Sequence, residues 1–378
     1  MSVTYPKGFR AAGMSAGLKP SGRPDLGLLV GDPGTAIVGV FTTNRVSAAP
    51  VRLTRDLLSA GHGRAVIVNS GQANAATGYR GDIDARAVTA ATAASLGMDA
   101  NDVLACSTGV IGEPVHLEPL VAALPMLAGV LSTEGGPAFA RAIMTTDRVD
   151  KQATADAGAF RVGGCAKGVG MIAPNLATML VFVTTDAPVN RGDLQRLTDE
   201  QLMPRFNALT VDACTSTNDT VLVFASGAVT GEAEVSPGRP AWDALSHAIG
   251  EVGESLVRQL IADAEGVTHV MLIDIAGAPS EHDARVVAKA IADSPLVKTA
   301  MFGGDPNPGR ILQAVGSSGI DVDPHTIDIS IGGVRLVNAG VIPPAYFDDG
   351  ANAQAARVAM KEPEIRIEVS LGDGPGRS

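Results

Sequence analysis

The sequence predicts an α/β protein, because short apolar runs alternate with helical segments along its 378 residues. Hydrophobic residues make up 46% of the chain and charged residues 18%, which is enough apolar surface for a large buried core. The 44 glycines are typical of closely packed layers joined by many turns. The length favours two or three domains.

The individual elements follow from the apolar pattern and from the glycines and prolines that bound it. Strands are predicted at Leu26–Val30, Ile37–Phe41, Ala65–Asn69, Val103–Thr108, Thr178–Val183, Thr220–Ala225 and Val270–Ile275. Helices are predicted at Asp82–Leu96, Leu117–Leu131, Pro137–Met144, Asn190–Asn207, Trp242–Ala264 and His282–Ala292. Gly332-Gly333 indicates the turn of a hairpin over Thr326–Val337. The units become shorter after residue 280, so we expect a smaller domain over 281–378.

Composition excludes several functional classes. A net charge of −11 argues against a nucleic-acid partner, whose phosphates require lysine and arginine surfaces. The histidines are scattered and no Cys-x-x-Cys pair occurs, so no metal site is predicted. Cys106, Cys165 and Cys214 stand in apolar contexts and are expected to be buried, reduced thiols. The N-terminus lacks an apolar signal region, and no run reads as a membrane span, so a soluble cytoplasmic protein is predicted.

The sequence contains no motif in a context that predicts a cofactor-binding site. Gly168-Val169-Gly170-Met171-Ile172-Ala173 fits a dinucleotide pattern, but Pro174 and a strand follow where a helix N-terminus would have to hold the pyrophosphate. The chain has neither a Gly-x-x-x-x-Gly-Lys-Ser/Thr phosphate loop nor a Gly-x-Ser-x-Gly nucleophile elbow. We therefore expect no bound cofactor.

The strongest candidate nucleophile is Thr178, which opens the strand after the glycine-rich segment and follows the small residue Ala177. A threonine hydroxyl needs a base, and cleavage of the Ala177–Thr178 bond would provide one as the α-amine of Thr178. A threonine after a strained turn can itself attack the preceding carbonyl by an N-to-O acyl shift. The alternative is that Thr178 merely begins a β-strand, where threonine is favoured.

A collinear set of motifs favours the first reading. The segment Lys167-Gly168-x-Gly170-Met171-x-x-Pro174-x-x-Ala177-Thr178-Met179-Leu180 closely resembles the cleavage segment of the ornithine acetyltransferase (glutamate N-acetyltransferase) family of arginine biosynthesis. Further motifs of that family are matched, in order, at 69–75, 77–78, 106–112, 142–147, 216–220, 263–266 and 296–300. The resemblance covers nearly the whole chain.

This resemblance implies a role for each matching residue. Thr178 is the expected nucleophile, released by self-cleavage after Ala177. Thr108 and Gly109 match the oxyanion-hole positions, and a Thr-Gly turn after a strand can aim a hydroxyl and an N–H at a developing negative charge. The substrate-binding positions are matched by Thr145, Lys167, Thr178 and Glu265. By chemistry alone, Thr145 could equally cap a helix, Lys167 could be solvated, and Glu265 could be a surface carboxylate at a helix end.

The implied reaction is ping-pong acetyl transfer from N-acetylornithine to glutamate, with acetyl-CoA as a further donor used by many family members. The implied fold is a layered α/β/β/α sandwich with a smaller C-terminal α/β domain. Cleavage would give an α chain, 1–177, and a β chain whose first part, 178–280, carries the nucleophile strand. The family assembles as a heterotetramer with two copies of each chain.

Two departures from the family pattern bear on this expectation. The family has a tryptophan in its Asp-Pro-Asn-Trp-Gly-Arg motif, where this chain has Pro308. The family also extends past the Gly-Asp-Gly stretch to a terminal segment with two substrate-binding residues, whereas this sequence stops at Ser378. Two alternatives stay open: a related N-terminal-nucleophile amidase or aminopeptidase that passes the acyl group to water, and an unprocessed, non-catalytic variant.

Overall fold

A computed structural model describes residues 2–172, 179–347 and 350–378. The chain divides into two compact units, Met1–Glu265 and Gly266–Ser378. The predicted nucleophile Thr178 and its neighbour Ala177 lie outside the described residues.

The first unit contains two β-sheets. Its described strands are β1 (Phe9–Met14), β2 (Leu26–Gly31), β3 (Ala36–Phe41), β4 (Ala65–Gln72), β5 (Val103–Val110), β6 (Lys151–Ala157), β7 (Phe160–Lys167), β8 (Leu180–Thr185) and β9 (Thr220–Ala225). One sheet has the order β1-β2-β4-β5, and the other has the order β3-β9-β8-β7-β6. The pairs β4/β5 and β8/β9 are parallel, and the other neighbours are antiparallel. β8 is therefore the central strand of the five-stranded sheet.

The described α-helices of the first unit pack around and between the two sheets. They are α1 (Ala49–Ser59), α2 (Gly78–Leu96), α3 (Leu117–Gly129), α4 (Gly136–Ala142), α5 (Arg191–Leu197), α6 (Met203–Asn207) and α7 (Pro240–Ala262). A π-helical turn, Thr198–Leu202, separates α5 from α6, so the helix predicted over Asn190–Asn207 is not continuous. No helix of the described chain is long and apolar enough to cross a membrane.

Side-chain alternation along the strands assembles these elements into four layers. On β8, Leu180 and Phe182 enter an apolar cluster that also includes Val66 and Leu104 of the other sheet, so the two sheets pack face to face. The intervening Val181 and its neighbours on the same face join a second cluster with α5, α6 and α7. The outer face of the four-stranded sheet packs against α2 and α3 in the same way. The predicted α/β/β/α layering is confirmed.

The second unit is a smaller α/β structure. Its strands are β10 (Val270–Gly277), β11 (Asp328–Ile331), β12 (Val334–Val337), β13 (Glu364–Ser370) and β14 (Gly374–Arg377), in the sheet order β12-β11-β13-β10-β14. Its described helices are α8 (Glu281–Asp293), α9 (Pro295–Phe302), α10 (Pro308–Gly316) and α11 (Ala351–Ala359). β11 and β12 form the hairpin predicted around Gly332-Gly333.

Two details differ from the sequence-based expectation. The unit boundary falls after Glu265 rather than at residue 281, because β10 pairs in parallel with β13 and so belongs to the second unit. Cys106 and Cys165 are buried as expected, but Cys214 is exposed. Cys214 lies in a loop beside the Asp212 carboxylate, whose negative charge raises the pKa of the thiol.

Candidate active site

The predicted oxyanion residues Thr108 and Gly109 lie at the end of β5. The sequence suggested a turn here, but the strand continues to Val110, and Gly109 pairs with Gly71 of β4. The two strands approach so closely that a Cβ on Gly109 would lie 2.2 Å from the Gly71 carbonyl oxygen. Gly109 also has a φ of 134°, which side-chain-bearing residues rarely adopt. The strand ends therefore require glycine at this position.

Lys167 connects the two sheets at this point. It ends β7, where it pairs with Leu180 of β8, and its Nζ donates a hydrogen bond of 3.1 Å to Thr108 Oγ1. Lys167 is only 2% exposed, which excludes a solvated surface lysine. Burial lowers the pKa of its ammonium group, although the nearby Asp147 carboxylate acts in the opposite direction. The side chain therefore brings a buried cation into contact with a predicted oxyanion-hole residue.

Asp147, which had no predicted role, hydrogen-bonds to the residues around Lys167. Its Oδ1 accepts hydrogen bonds from the Gly168 N–H at 2.8 Å and from Lys151 Nζ at 2.7 Å. Its Oδ2 accepts from the Thr145 N–H at 2.9 Å. Burial alone would raise the pKa of Asp147, but the Lys167 and Lys151 ammonium groups and these hydrogen bonds lower it to about 2. Asp147 is thus an ionised, buried link between two predicted substrate-binding segments.

Thr145 lies just beyond the end of α4 and is half-buried, so it does not begin that helix. Its carbonyl accepts a hydrogen bond from the Arg23 guanidinium at 3.2 Å. The preceding Met144 carbonyl accepts one from Lys19 Nζ at 2.6 Å. Burial lowers the pKa of Lys19 to about 8. Two further cations, neither of them indicated by a sequence motif, therefore hold the Thr145 segment in place.

Glu265 is exposed and lies beyond the end of α7, against the glycine-rich segment. Its backbone N–H donates to the Val169 carbonyl at 2.7 Å. A Cβ on Gly170 would lie 3.0 Å from Glu265 Oε2, so the absence of a side chain at 170 leaves room for this carboxylate. Glu265 is therefore held beside the stretch that begins at Lys167.

The two residues before β9 contribute buried side chains that lie in a family motif but had no predicted role. Asn218 Nδ2 donates to the Ala73 carbonyl at 2.6 Å and to the Ser107 carbonyl at 2.8 Å. The next residue, Asp219, accepts a hydrogen bond from the Met179 N–H at 2.8 Å. Met179 directly follows Thr178 in the sequence. Asn218 and Asp219 thus join the ends of both sheets to the residue after the predicted nucleophile.

The structure places the described members of the predicted site along one connected path. Thr108 contacts Lys167 directly, Asp147 links the following Gly168 to Thr145, and Glu265 follows along the same glycine-rich segment. Within the described ranges, no group of histidine, cysteine, aspartate and glutamate side chains is arranged to hold a metal ion. The arrangement supplies cations, a hydroxyl and carboxylates along the described segments that precede and follow Thr178 in the sequence.

Comparison with known proteins decides the family. A model of the ArgJ family matches residues 10–378. The chain belongs to the ArgJ family. It is 44% identical over 380 residues to the arginine biosynthesis bifunctional protein ArgJ of Parasynechococcus marenigrum, covering 99% of this chain and 90% of the relative. The protein of the same name from Mycobacterium tuberculosis (strain H37Rv) is 43% identical over 385 residues, covering 100% of this chain and 91% of the relative.

Solved structures of ArgJ-family proteins are also similar in sequence. An ornithine acetyltransferase from Mycobacterium tuberculosis, solved in complex with ornithine, is 44% identical over 47% of this chain and 96% of its own, with a TM-score of 0.43. The ArgJ protein of Bacillus halodurans is 37% identical over 46% of this chain and 94% of its own, with a TM-score of 0.40.

The proline that departs from the ArgJ family pattern has a clear local role. Pro308 is the first residue of α10, a position where its fixed φ fits and its missing N–H is not needed. Asn307 caps the helix, because its side-chain oxygen accepts the Arg310 N–H at 3.2 Å. The motif therefore forms a regular helix start in this chain.

Proposed function

We propose that this ArgJ-family chain transfers an acetyl group from N-acetylornithine to glutamate in arginine biosynthesis, with Thr178 as the nucleophile. The relatives' shared name and the collinear motifs support this assignment. The observation that carries it is the buried contact between Lys167 and Thr108. Because Lys167 pairs with Leu180, this contact lies next to the beginning of β8, two residues from Thr178 in the sequence.

The direction of the Lys167–Thr108 hydrogen bond suits an oxyanion hole. A lysine ammonium group can only donate, so Thr108 Oγ1 must accept. The hydroxyl hydrogen of Thr108 is then directed away from Lys167 and is able to donate to a substrate oxygen. A hydroxyl polarised by a buried cation is well suited to stabilise the negative charge that develops on a carbonyl under attack. The Gly109 N–H is the proposed second donor.

The proposed reaction has two half-reactions. Thr178 Oγ attacks the acetyl carbonyl of N-acetylornithine, its proton passes through the α-amine to the leaving nitrogen, and the C–N bond breaks to release ornithine. The amine of glutamate then attacks the carbonyl of the acetyl-threonine ester, the bond from that carbonyl to Thr178 Oγ breaks, and the proton lost by the amine returns to the Thr178 hydroxyl. Glu265 is proposed to bind the cationic amino group of ornithine, and Lys167 and Thr145 to bind the polar groups of the substrates.

Self-cleavage at Ala177–Thr178 is the first test. Intact-mass measurement of the purified wild type is expected to show two chains, 1–177 and 178–378, whereas Thr178→Ala remains one chain of 378 residues. Thr154→Ala is a suitable control, because Thr154 is exposed on β6 of the same sheet and should not affect cleavage. A wild type that remains uncleaved, like Thr178→Ala, would contradict the assignment of Thr178.

Acceptor use is the second test. With N-acetylornithine and glutamate present, we expect N-acetylglutamate and ornithine to form in equal amounts, with little acetate. Release of acetate at the same rate with and without glutamate would instead indicate the hydrolytic alternative. We also propose acetyl-CoA as a second donor to glutamate, in keeping with the word bifunctional in the relatives' names. Release of free thiol from acetyl-CoA that depends on glutamate would measure this activity.

The assembly and the location are proposed on the resemblance alone. We propose a heterotetramer of two 1–177 chains and two 178–378 chains, which native mass measurement would distinguish from a single pair. A cytoplasmic location stays a prediction.

A further inference from the structure

Asp219 holds the peptide unit that directly follows the proposed nucleophile. It precedes β9 and is fully buried, and its Oδ1 accepts the Met179 N–H at 2.8 Å. This N–H belongs to the peptide bond that joins Thr178 to Met179. The Met179 carbonyl in turn accepts the Thr220 N–H at 3.1 Å. The backbone N–H and C=O of Met179 are therefore both hydrogen-bonded by the consecutive residues Asp219 and Thr220.

The second carboxyl oxygen of Asp219 is unusual. Oδ2 is buried and has no hydrogen-bond partner among the described residues. Burial raises the pKa of the carboxyl well above its usual value, although the Met179 N–H, the Ser216 hydroxyl and the Lys167 ammonium favour the charged form. The buried surroundings therefore disfavour the charged form of this carboxyl. A buried, unpaired polar oxygen is costly and uncommon in native proteins.

Asp186, a second buried aspartate, has hydrogen-bond partners for both of its carboxyl oxygens, as is usual for a structural residue. Asp186 immediately follows β8 at its opposite end and is 1% exposed. Its Oδ1 accepts the Arg161 N–H at 2.7 Å and its Oδ2 accepts the Lys7 N–H at 3.0 Å. Both oxygens of Asp186 are thus engaged by the backbone, whereas Asp219 has only one oxygen engaged.

We propose that Asp219 is a positioning residue for Thr178, because its Oδ1 fixes the N–H of the peptide unit that follows Thr178 in the sequence. The inference rests on the proposed function, in which Thr178 is the nucleophile. Attack by a positioned hydroxyl depends steeply on geometry, and small displacements of the reacting group cost large factors in rate. Asp219 therefore acts on the reaction through the placement of Thr178.

Three substitutions separate this role from a structural one. Asp219→Asn keeps an oxygen acceptor for the Met179 N–H and replaces the second oxygen with an amide nitrogen of similar size, so we expect its cleavage rate to stay within about threefold of the wild type. Asp219→Ala and Asp219→Leu remove both groups, and we expect cleavage to slow by about tenfold or more. Asp186→Asn is the matched control, which should cleave at the wild-type rate in its folded fraction.

Cleavage is timed by intact mass after cell-free synthesis, and fluorescence of the one tryptophan, Trp242, reports folding of the first unit. Asp219→Leu replaces Asp219→Ala in the comparison if the alanine variant does not fold. For the fraction of either variant that matures, kcat of acetyl transfer should fall by a similar factor while KM stays within about twofold. A loss of packing alone would lower the amount of folded enzyme but would leave the kcat of the folded, matured fraction unchanged.

The outcomes are distinguishable. Wild-type cleavage by folded Asp219→Ala or Asp219→Leu overturns the positioning role while leaving the function of Thr178 intact. Asp219→Asn as slow as these variants also overturns it, because a negative charge would then be what matters. An uncleaved wild type removes the proposed nucleophile and the positioning role together.

Discussion

Replacing Asp147 with asparagine should change how the stability of the first unit depends on pH. Asp147 is buried beside Lys151 and Lys167, and its pKa falls from 3.8 to about 2 on folding. Each unit of difference between the folded and unfolded pKa corresponds to about 1.4 kcal/mol, so this carboxylate contributes about 2.5 kcal/mol to the free energy of unfolding near neutral pH. Asparagine at 147 cannot provide this contribution.

The direction in which the free energy of unfolding changes with pH follows from which state binds the Asp147 proton more tightly. Between pH 4 and 2 the unfolded chain holds the Asp147 proton more tightly than the folded chain, so acid favours unfolding. The stabilisation is therefore complete above the unfolded pKa of 3.8 and is lost as the pH falls toward about 2. Asp147→Asn also leaves Lys151 and Lys167 without this neighbouring negative charge, which typically costs about 3–5 kcal/mol when one partner of a buried ion pair is removed. The gap between the wild type and the variant should be largest near pH 7 and shrink toward pH 3.

The measurement uses denaturant unfolding at several pH values between 7 and 3. Both proteins should carry Thr178→Ala, so that each is a single chain, and Trp242 reports the first unit because it is the one tryptophan in the sequence. Asp56→Asn removes an exposed carboxylate from α1 and should change the free energy of unfolding by less than about 0.5 kcal/mol at pH 7. Parallel pH profiles for the Asp147 variant and its parent would refute the reasoning.

Four further outcomes are expected. Gly109→Ala should lower the free energy of unfolding by at least about 1–3 kcal/mol, because alanine rarely adopts the φ of Gly109. Gly129→Ala is the control and should not lower it, because Gly129 lies at an open helix position. Equal unfolding curves for the two variants would contradict this. Lys167→Met should lower the kcat of acetyl transfer by about 10²–10³, and an unchanged kcat would exclude its proposed role. Glu265→Gln should raise KM for N-acetylornithine more than KM for glutamate, and equal changes would count against an ornithine-side contact. In the native protein a thiol reagent should label Cys214 alone, which peptide mapping would verify.

The sequence predicted the strands whose apolar runs are continuous, such as β8 and β9, but it did not predict β7. This strand contains Gly163 and Gly164, and glycine is a poor strand former when judged locally. The structure explains both residues by close approach. A Cβ on Gly163 would lie 2.2 Å from the Ser2 carbonyl oxygen, and one on Gly164 would lie 2.8 Å from Val252 Cγ1. Tertiary packing, which a local pattern does not contain, decides the structure of this segment.

The same limit applies to the candidate site. The motifs pointed to Thr108 and Lys167 separately, but 59 positions separate them in the chain, and only the packing of two sheets brings them into contact. Asp147 and Asp219 stood inside quoted motifs without a role, because their importance comes from burial and from long-range hydrogen bonds. A polar residue that ends or precedes a strongly apolar strand was the signal that could have singled out Asp219.

The charges around the candidate site favour a functional role for Lys167 over a stabilising one. Lys151 is paired with both Asp147 and Asp263 at 2.7 Å, so its charge is well compensated. Lys167 forms no ion pair with a described residue, and burial raises the pKa of the Asp219 carboxyl, which disfavours the charge that would compensate Lys167. A buried ammonium without a full partner is destabilising, since desolvation costs more than the remaining contacts return. We therefore expect a substrate carboxylate, or an oxyanion held through Thr108, to supply a compensating negative charge next to Lys167.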